Sequence, residues 1–203
     1  MTDFAKPSDV EHFLQLEIST SAQLAAAMRA VEEATAAIRN YCRQELELVE
    51  DEEITLDSSG GPVLFLPELP VISVSTVIED GDTLTVDDDY KLGQYGILHR
   101  IEANWASGIQ IVTVTYSHGY ATIPDDIVSV ATRAASRAYQ AGLKAADAEG
   151  IAGIASKSLG DFSVSFTGES GGGVGEGVMG ASAARLLLLS EKDILDNYRM
   201  KRP

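Results

Sequence analysis

Apolar residues recur every three or four positions between residues 20 and 44, which predicts a long amphipathic helix there. The stripe consists of Leu24, Met28, Val31, Thr35, Ile38 and Cys42, with Thr35 as its polar member. A shorter helix is predicted over about residues 8–16, because Ser8-Asp9-Val10-Glu11 has the S-x-x-E form of a capping box. The chain is therefore predicted to open with two helices of unequal length.

The long predicted helix also carries a second surface made largely of small residues. Its members are Ala27, Ala30, Ala34, Ala37 and Tyr41. Small side chains let a neighbouring helix approach closely, so this surface suits packing between subunits as well as within one chain. We predict that it takes part in subunit packing.

Between residues 46 and 118 the pattern changes to short β-branched and apolar runs separated by turn residues. Asp80-Gly81 is a hairpin signal between two of these runs, and Ile109–Tyr116 is the strongest of them. About six strands are predicted, which suggests a small antiparallel sheet or barrel inserted between the second and third main helices.

Helical spacing returns at residues 124–145. Pro124 suits the first position of a helix, and Asp125 and Asp126 suit its first turn, where the helix dipole favours negative charge. We therefore expect the third main helix to pack on the second.

The end of the chain combines a glycine-rich stretch with a short closing helix. Residues 168–180 hold few bulky side chains, so a flexible loop is predicted over about 161–180. A last helix is expected over about 181–197, with Ser190 able to cap its final part. So short a helix cannot support a core of its own and must lie on the rest of the chain.

These elements predict an α+β fold: a helical bundle with a small antiparallel β insertion. The helical part comprises residues 1–45 and 119–203, and the inserted β subdomain comprises residues 46–118. At 203 residues, with 45% hydrophobic residues, the chain is long enough to bury a core.

The charge balance excludes one class of function. The chain has 15 basic and 31 acidic residues and a formal net charge of -16. A protein that reads DNA sequence needs a basic patch to neutralise phosphates, so this class is disfavoured. Solubility is the simplest interpretation of the charge, and an acidic ring lumen through which DNA slides without sticking is the sharper one.

Candidate chemistry is weak throughout the sequence. The single cysteine, Cys42, excludes an internal disulfide and a multi-cysteine metal site. Gly168-Glu169-Ser170-Gly171-Gly172 matches G-x-S-x-G, but no histidine follows His118. Ser156 replaces the glycine that a phosphate loop requires before Lys157. No catalytic residue is therefore predicted.

The remaining polar groups are predicted to be structural. Asp87-Asp88-Asp89 is expected to be a solvated turn, because at most two of its carboxylates can converge. The segment Ser117–Tyr120 is expected to be a turn as well, and His12, His99 and His118 have no ligand spacing. No metal site and no cofactor are predicted. No apolar run reaches the length of a membrane span and no signal peptide is evident, so a soluble, cytoplasmic origin is expected.

Four stretches together resemble the connector (adaptor, or head-completion) family that joins portal to tail in long-tailed bacteriophages. They are Ser8–Leu14 with Ile38–Cys42, Asp89–Leu92 with Gly96–Arg100 and Trp105, Val112–Tyr120 with Ile123–Ile127, and Ser158–Phe166 with Leu195–Arg199. The resemblance covers nearly the whole chain, and it rests on the order of the stretches more than on any one motif.

The resemblance implies a structural virion protein that forms a homo-oligomeric ring of about twelve copies beneath the portal. The ring would continue the DNA channel, meet the portal and a stopper or tail-completion protein, and be assembled in the cytoplasm of the bacterial host. Portal docking is mapped onto two segments: Asp161, Phe162, Ser163, Val164, Ser165 and Phe166, and then Tyr198, Arg199, Lys201 and Arg202. Glycine-rich chain of this kind can become ordered by adding strands to a partner.

Two alternatives stay open at this stage. One is a stopper or tail-terminator ring of the same neck, and the other is a small α+β enzyme or ligand-binding domain. One departure from the family pattern is the acidic segment 45–53, which would repel DNA if it faced the channel and would keep the ring soluble if it faced outward.

Overall fold

The computed structural model describes residues 2–149, 156–159, 162–165 and 186–200. In these ranges the chain forms four α-helices: α1 (Pro7–Leu14), α2 (Ser21–Cys42), α3 (Asp125–Glu149) and α4 (Leu189–Leu195). Nine strands accompany them: β1 (Val49–Ser59), β2 (Val63–Phe65), β3 (Val71–Glu79), β4 (Asp82–Leu84), β5 (Tyr90–Leu92), β6 (Ile97–Arg100), β7 (Ser107–His118), β8 (Ser156–Leu159) and β9 (Phe162–Ser165). The predicted α+β class is confirmed.

The strands form three antiparallel sheets. Strand order is β1-β7-β3-β4 in the largest sheet, β2-β6-β5 in the second and β8-β9 in the third. The predicted hairpin at Asp80-Gly81 joins β3 to β4 with positive φ at both residues. That geometry matches the twist of paired strands and explains the Asp-Gly choice.

The helix starts were predicted better for α2 and α3 than for the two short helices. In α2, Thr20 Oγ1 accepts the Gln23 N–H, and the Gln23 side chain accepts the Thr20 N–H. The first helix begins at Pro7 instead of behind a Ser8 cap, and its Asp9 carboxylate accepts the Lys6 N–H at 2.7 Å. The Ser8 cap was therefore wrong: proline is favoured at the first helical position, and the cap lies two residues earlier, at Lys6.

The last helix is shorter than predicted. Residues 186–188 are not helical, α4 starts at Leu189, and residues 181–185 lie outside the described ranges. Ser190 lies inside α4 and does not cap it, because the Glu191 carboxylate accepts the Leu188 N–H and fixes the helix start there. The expected dependence of this segment on the rest of the chain is confirmed, since α4 packs on both α2 and α3.

The helices enclose one hydrophobic cluster. Its buried members come from the N-terminal third, from α3 and from the closing segment, and they include Val10, Ile38, Leu46, Ile127 and Leu195. Small residues dominate the contact between α2 and α3, which explains how these helices pack so closely.

A second hydrophobic cluster has all its buried members within residues 64–116, and Ile54 and Leu56 of β1 pack against it. Its largest fully buried side chains are Trp105, Tyr116 and Leu98. Tyr116 lies in the largest sheet and Leu98 in the second, and the inner faces of these sheets supply alternate residues to the cluster, whereas Trp105 lies in the loop between β6 and β7. The predicted division into a helical domain and an inserted β subdomain stays a prediction.

Candidate assembly surfaces and a polar cluster at the end of the sheet

Tyr198, one of the predicted docking residues, is held by its own chain. Its hydroxyl donates to the Asp126 carboxylate at 2.7–2.8 Å, and its ring meets Tyr120 edge-on. Burial and this carboxylate raise the pKa of Tyr198, so the hydroxyl stays a donor at neutral pH. The side chain of Tyr198 therefore anchors the closing segment to the start of α3.

Arg199 lies beside Tyr198 but reaches the surface. Its guanidinium stacks 5.3 Å from the centre of the Tyr41 ring, and 42% of its side chain is exposed. Tyr41 in turn donates to Asp196 at 2.7 Å. Arg199 is thus partly available to a partner, whereas Lys201 and Arg202 lie outside the described residues.

Glu191 of α4 and Arg137 of α3 form a bidentate ion pair. The two guanidinium nitrogens of Arg137 reach the two Glu191 oxygens at 2.6 and 2.8 Å, and Arg137 also donates to the Leu186 carbonyl. Only 2% of the Glu191 side chain is exposed, against 35% of the Arg137 side chain. Neither residue was singled out in the sequence, where each resembles an ordinary surface charge.

The predicted subunit-packing residues divide into two groups. Ala27, Ala30 and Ala34 are buried in the chain's own helical cluster, whereas Ala37 and Tyr41 are only partly buried against it. Their role between subunits stays a prediction. Of the five residues, Ala37 and Tyr41 are the ones that keep exposed surface in a single chain.

Three large apolar side chains near the chain start are exposed instead. Leu24 and Met28, one turn apart on α2, are 46% and 49% exposed, and Phe13 on α1 is 54% exposed. The sequence pattern placed Leu24 and Met28 on the buried stripe. The stripe is buried only from Val31 onward, because no other described element covers the first two turns of α2 on this side.

The other predicted docking segment is a β-hairpin in its described part. Residues Phe162–Ser165 pair with Ser156–Leu159 in register Ser156↔Ser165 to Leu159↔Phe162. Within the loop predicted over about 161–180, residues 162–165 form β9, whereas Asp161 and residues 166–180 lie outside the described residues. Among the described residues this sheet has two strands, and the edge of such a sheet can accept a further strand.

The acidic segment 45–53 does not form a single charged face. Arg39 pairs with Glu45 at 3.3 Å and with Glu47 at 2.9 Å, and Glu52 contacts His118. Glu50, Asp51 and Glu53 are exposed. Three of the six acidic residues thus contact an arginine or histidine side chain, and Asp51 accepts a hydrogen bond from the Ser75 hydroxyl at 2.6 Å.

The sequence suggested that His118 lies in a turn. This was wrong, because His118 is the last residue of β7. Alternation along β7 puts it on the buried face that also carries Val112, Val114 and Tyr116. Its side chain is fully buried, and its ring lies 5.0 Å from that of Tyr116. The row of inward-facing residues therefore ends in a histidine.

Two carboxylates converge on this histidine. His118 Nε2 lies 2.7 Å from a Glu52 oxygen and 2.8 Å from a Glu68 oxygen. A bulge between Val49 and Glu52 brings Glu52 opposite Tyr116, where unbroken pairing from Val49↔His118 would have placed Asp51. The bulge thus puts Glu52 on the same face as His118.

Glu68 belongs to the segment between β2 and β3 and reaches the cluster from outside the largest sheet. It also accepts, at 3.4 Å, the backbone N–H of Glu45. Burial, reinforced by the charges of Glu52 and Glu45, raises the pKa of Glu68 against the opposing effect of His118. No sequence signal could have found this cluster, because its three members are brought together by a bulge and a loop.

The fold matches a solved structure from a phage-like particle. The match is to a chain of the "Neck of empty GTA particle computed with C6 symmetry", at a TM-score of 0.52 and 15% sequence identity. It covers 97% of this chain and 90% of that chain. The architecture is therefore one found in a particle neck.

The sequence assigns the chain more narrowly. Residues 4–134 match the model of the head completion protein family, and the chain belongs to that family. The connector resemblance predicted from the sequence is thereby confirmed, and with it a structural role at the neck of a phage particle. None of the curated proteins matches the chain. Among the described residues, no helix is long and apolar enough to cross a membrane.

Proposed function

We propose that this protein forms a homo-oligomeric ring in the virion neck, joins the portal to the tail and continues the DNA channel. The observation that carries the proposal is the family match over residues 4–134. The fold likeness to a neck chain supports it, and a ring of about twelve copies is compatible with the sixfold symmetry of that particle.

The exposed apolar side chains of α1 and α2 supply a reason for self-association. Phe13, Leu24 and Met28 keep about half of their surface in water in a single chain. Contact between copies would remove this surface from water and favour the ring. In this proposal the four helices act as one bundle, and these exposed side chains and the partly buried Ala37 and Tyr41 contact neighbouring subunits of the ring.

Portal docking is proposed for the hairpin of β8 and β9 and for the basic end of the chain. A free hairpin edge can pair with a partner strand through backbone hydrogen bonds, while Arg199, Lys201 and Arg202 add positive charge. Tyr198 would act by holding Arg199 in place, because its own hydroxyl is bound to Asp126.

The first test is native mass spectrometry of the protein alone and with a candidate portal. We expect about twelve copies to join each portal ring. A monomer or dimer that ignores the portal would contradict the proposal and would favour the enzyme or ligand-binding alternative. A ring that binds a tail protein but not the portal would favour a stopper or tail terminator.

Variants then locate the surfaces. Met28→Glu should leave the chain folded and prevent ring formation, whereas Thr83→Glu on β4 adds the same charge at an exposed site and should not. Arg199→Gln should weaken portal binding, with the exposed Arg43→Gln as its matched control.

Deletion of residues 168–180 should abolish portal binding and leave the thermal transition unchanged; unchanged binding would remove this segment from the docking site.

We further propose that DNA passes through the ring without sequence-specific binding and that the protein has no enzymatic activity. The net charge of -16 opposes stable contact with phosphates. Retardation of a DNA fragment by the protein at near-physiological salt would contradict the proposal about DNA.

A further inference from the structure

We propose that His118, Glu52 and Glu68 form a binding site for one divalent transition-metal ion of the zinc class. The site goes beyond the neck function and does not depend on it. Its three groups come from β7, β1 and the segment between β2 and β3. Their ligand atoms all lie within 4.8 Å of one another.

The proton count in the metal-free cluster is unfavourable. One imidazole nitrogen faces two carboxylate oxygens at 2.7 and 2.8 Å. The Nε2 atom carries at most one hydrogen, so it can make a full hydrogen bond to only one of these two acceptors. A divalent cation would satisfy all three ligands and cancel both charges.

The donor set fits zinc better than calcium or magnesium. Zinc binds one imidazole nitrogen with carboxylate oxygens readily, whereas calcium and magnesium prefer oxygen ligands alone. Tetrahedral zinc, with bonds of about 2.1 Å, holds its ligand atoms about 3.4 Å apart, so the nitrogen–oxygen distances must open by about 0.6 Å. The carboxylates can move that far, because the side chains of Glu52 and Glu68 are 40% and 22% exposed.

The same exposure gives the ion a path and leaves room for water as a fourth ligand. The histidine is fully buried and cannot swing away, so it fixes the site at the end of β7. Binding moves the imidazole proton to Nδ1, which has no hydrogen-bond partner among the described residues. A metal-bound histidine usually donates this proton to an acceptor, so we expect affinity about 10–100-fold lower than at a site that has one.

The test is calorimetric titration of the full chain with Zn²⁺, and with Mg²⁺ as the contrasting ion. We expect one Zn²⁺ per chain and no measurable Mg²⁺ binding. Glu68→Gln and Glu52→Gln should each weaken Zn²⁺ binding at least about tenfold. Glu53→Gln makes the same charge change at an exposed site beside Glu52 and should leave binding unchanged.

The visible absorption of bound Co²⁺ provides a second readout, which does not depend on the stability of the variants. Co²⁺ bound to a nitrogen and carboxylate oxygens in a tetrahedral site absorbs in the visible, and Glu68→Gln should abolish the band. Zn²⁺ binding that both glutamine variants retain, or no binding to the wild-type chain, would overturn the proposal. Circular dichroism of each variant identifies any that fails to fold, and the remaining variants still decide the outcome.

Discussion

The two hydrophobic clusters of this protein are built in opposite ways. The sheet cluster draws all its buried members from residues 64–116 and fills its space with large side chains such as Trp105, Tyr116 and Leu98. The helical cluster gathers small residues from three distant parts of the chain, and it is closed by the segment 186–200. The sheet core joins residues of one continuous stretch of the chain, whereas the helical core joins both ends of the chain and includes the polar link Arg137–Glu191.

The largest effect is expected where the two halves meet, at Gly119. This residue has φ +89°, and a Cβ there would overlap the Glu47 carbonyl oxygen. Backbone atoms cannot yield as a flexible side chain does, so Gly119→Ala should destabilise the fold by at least about 4 kcal/mol, measured by urea unfolding. Gly81→Ala provides the contrast, since it also has positive φ but nothing lies within 4 Å of the added Cβ. Equal losses in the two variants would show that close approach is irrelevant.

Leu98→Ala tests the sheet half. Leu98 is fully buried in β6, so its truncation should remove about 3 kcal/mol from the free energy of unfolding. Trp105 is the single tryptophan and lies in the same cluster, so its fluorescence reports this half directly. We expect the fluorescence midpoint to fall at least as far as the helical signal in circular dichroism. The half-exposed Phe65→Ala should have less than half the effect.

Arg137→Met and Glu191→Gln test the helical half. Removing Arg137 leaves a carboxylate that is 2% exposed without its partner, which should destabilise by about 2–3 kcal/mol. Removing the charge of Glu191 leaves a guanidinium that can still reach water, so we expect about 1 kcal/mol. The exposed Arg133→Met, one turn away on α3, is the control. If the two halves unfold separately, Arg137→Met should lower the unfolding midpoint measured by circular dichroism and leave the midpoint measured by Trp105 fluorescence unchanged. Equal shifts of the two midpoints would show that the halves unfold as one cooperative unit.

The smallest expected effect concerns the alkylation rate of Cys42. Burial raises the pKa of the Cys42 thiol from 9.0 to about 11, so little thiolate exists at neutral pH in the folded chain. With its folded-state pKa raised, this group's contribution to stability is present below pH 9.0 and is lost as pH rises through about 11. Alkylation should therefore require opening of the helical cluster. Labelling that keeps pace with the free thiol in urea would contradict the burial.

Much of the local structure followed from residue order alone. The apolar spacing from about residue 20 predicted the start of α2, Pro124 with Asp125 predicted the start of α3 to within one residue, and Asp80-Gly81 predicted the β3–β4 turn. These features depend on hydrogen bonds and dihedral angles within a few residues, so the sequence contains all that is needed. The predictions for Ser8 and Ser190 failed, because in each case a competing residue nearby fixed a different helix start.

The order of elements, the acidic charge and the head-completion family were thus determined by the sequence itself. Only the tertiary structure decided that Leu24 and Met28 stay exposed, that Tyr198 binds Asp126 and that His118 meets Glu52 and Glu68. Periodicity gives the side of an element on which a residue lies, but not whether another element covers that side. The polar cluster depends further on one extra residue in β1, and such a bulge alters which side chain faces the partner strand without leaving a periodic signal.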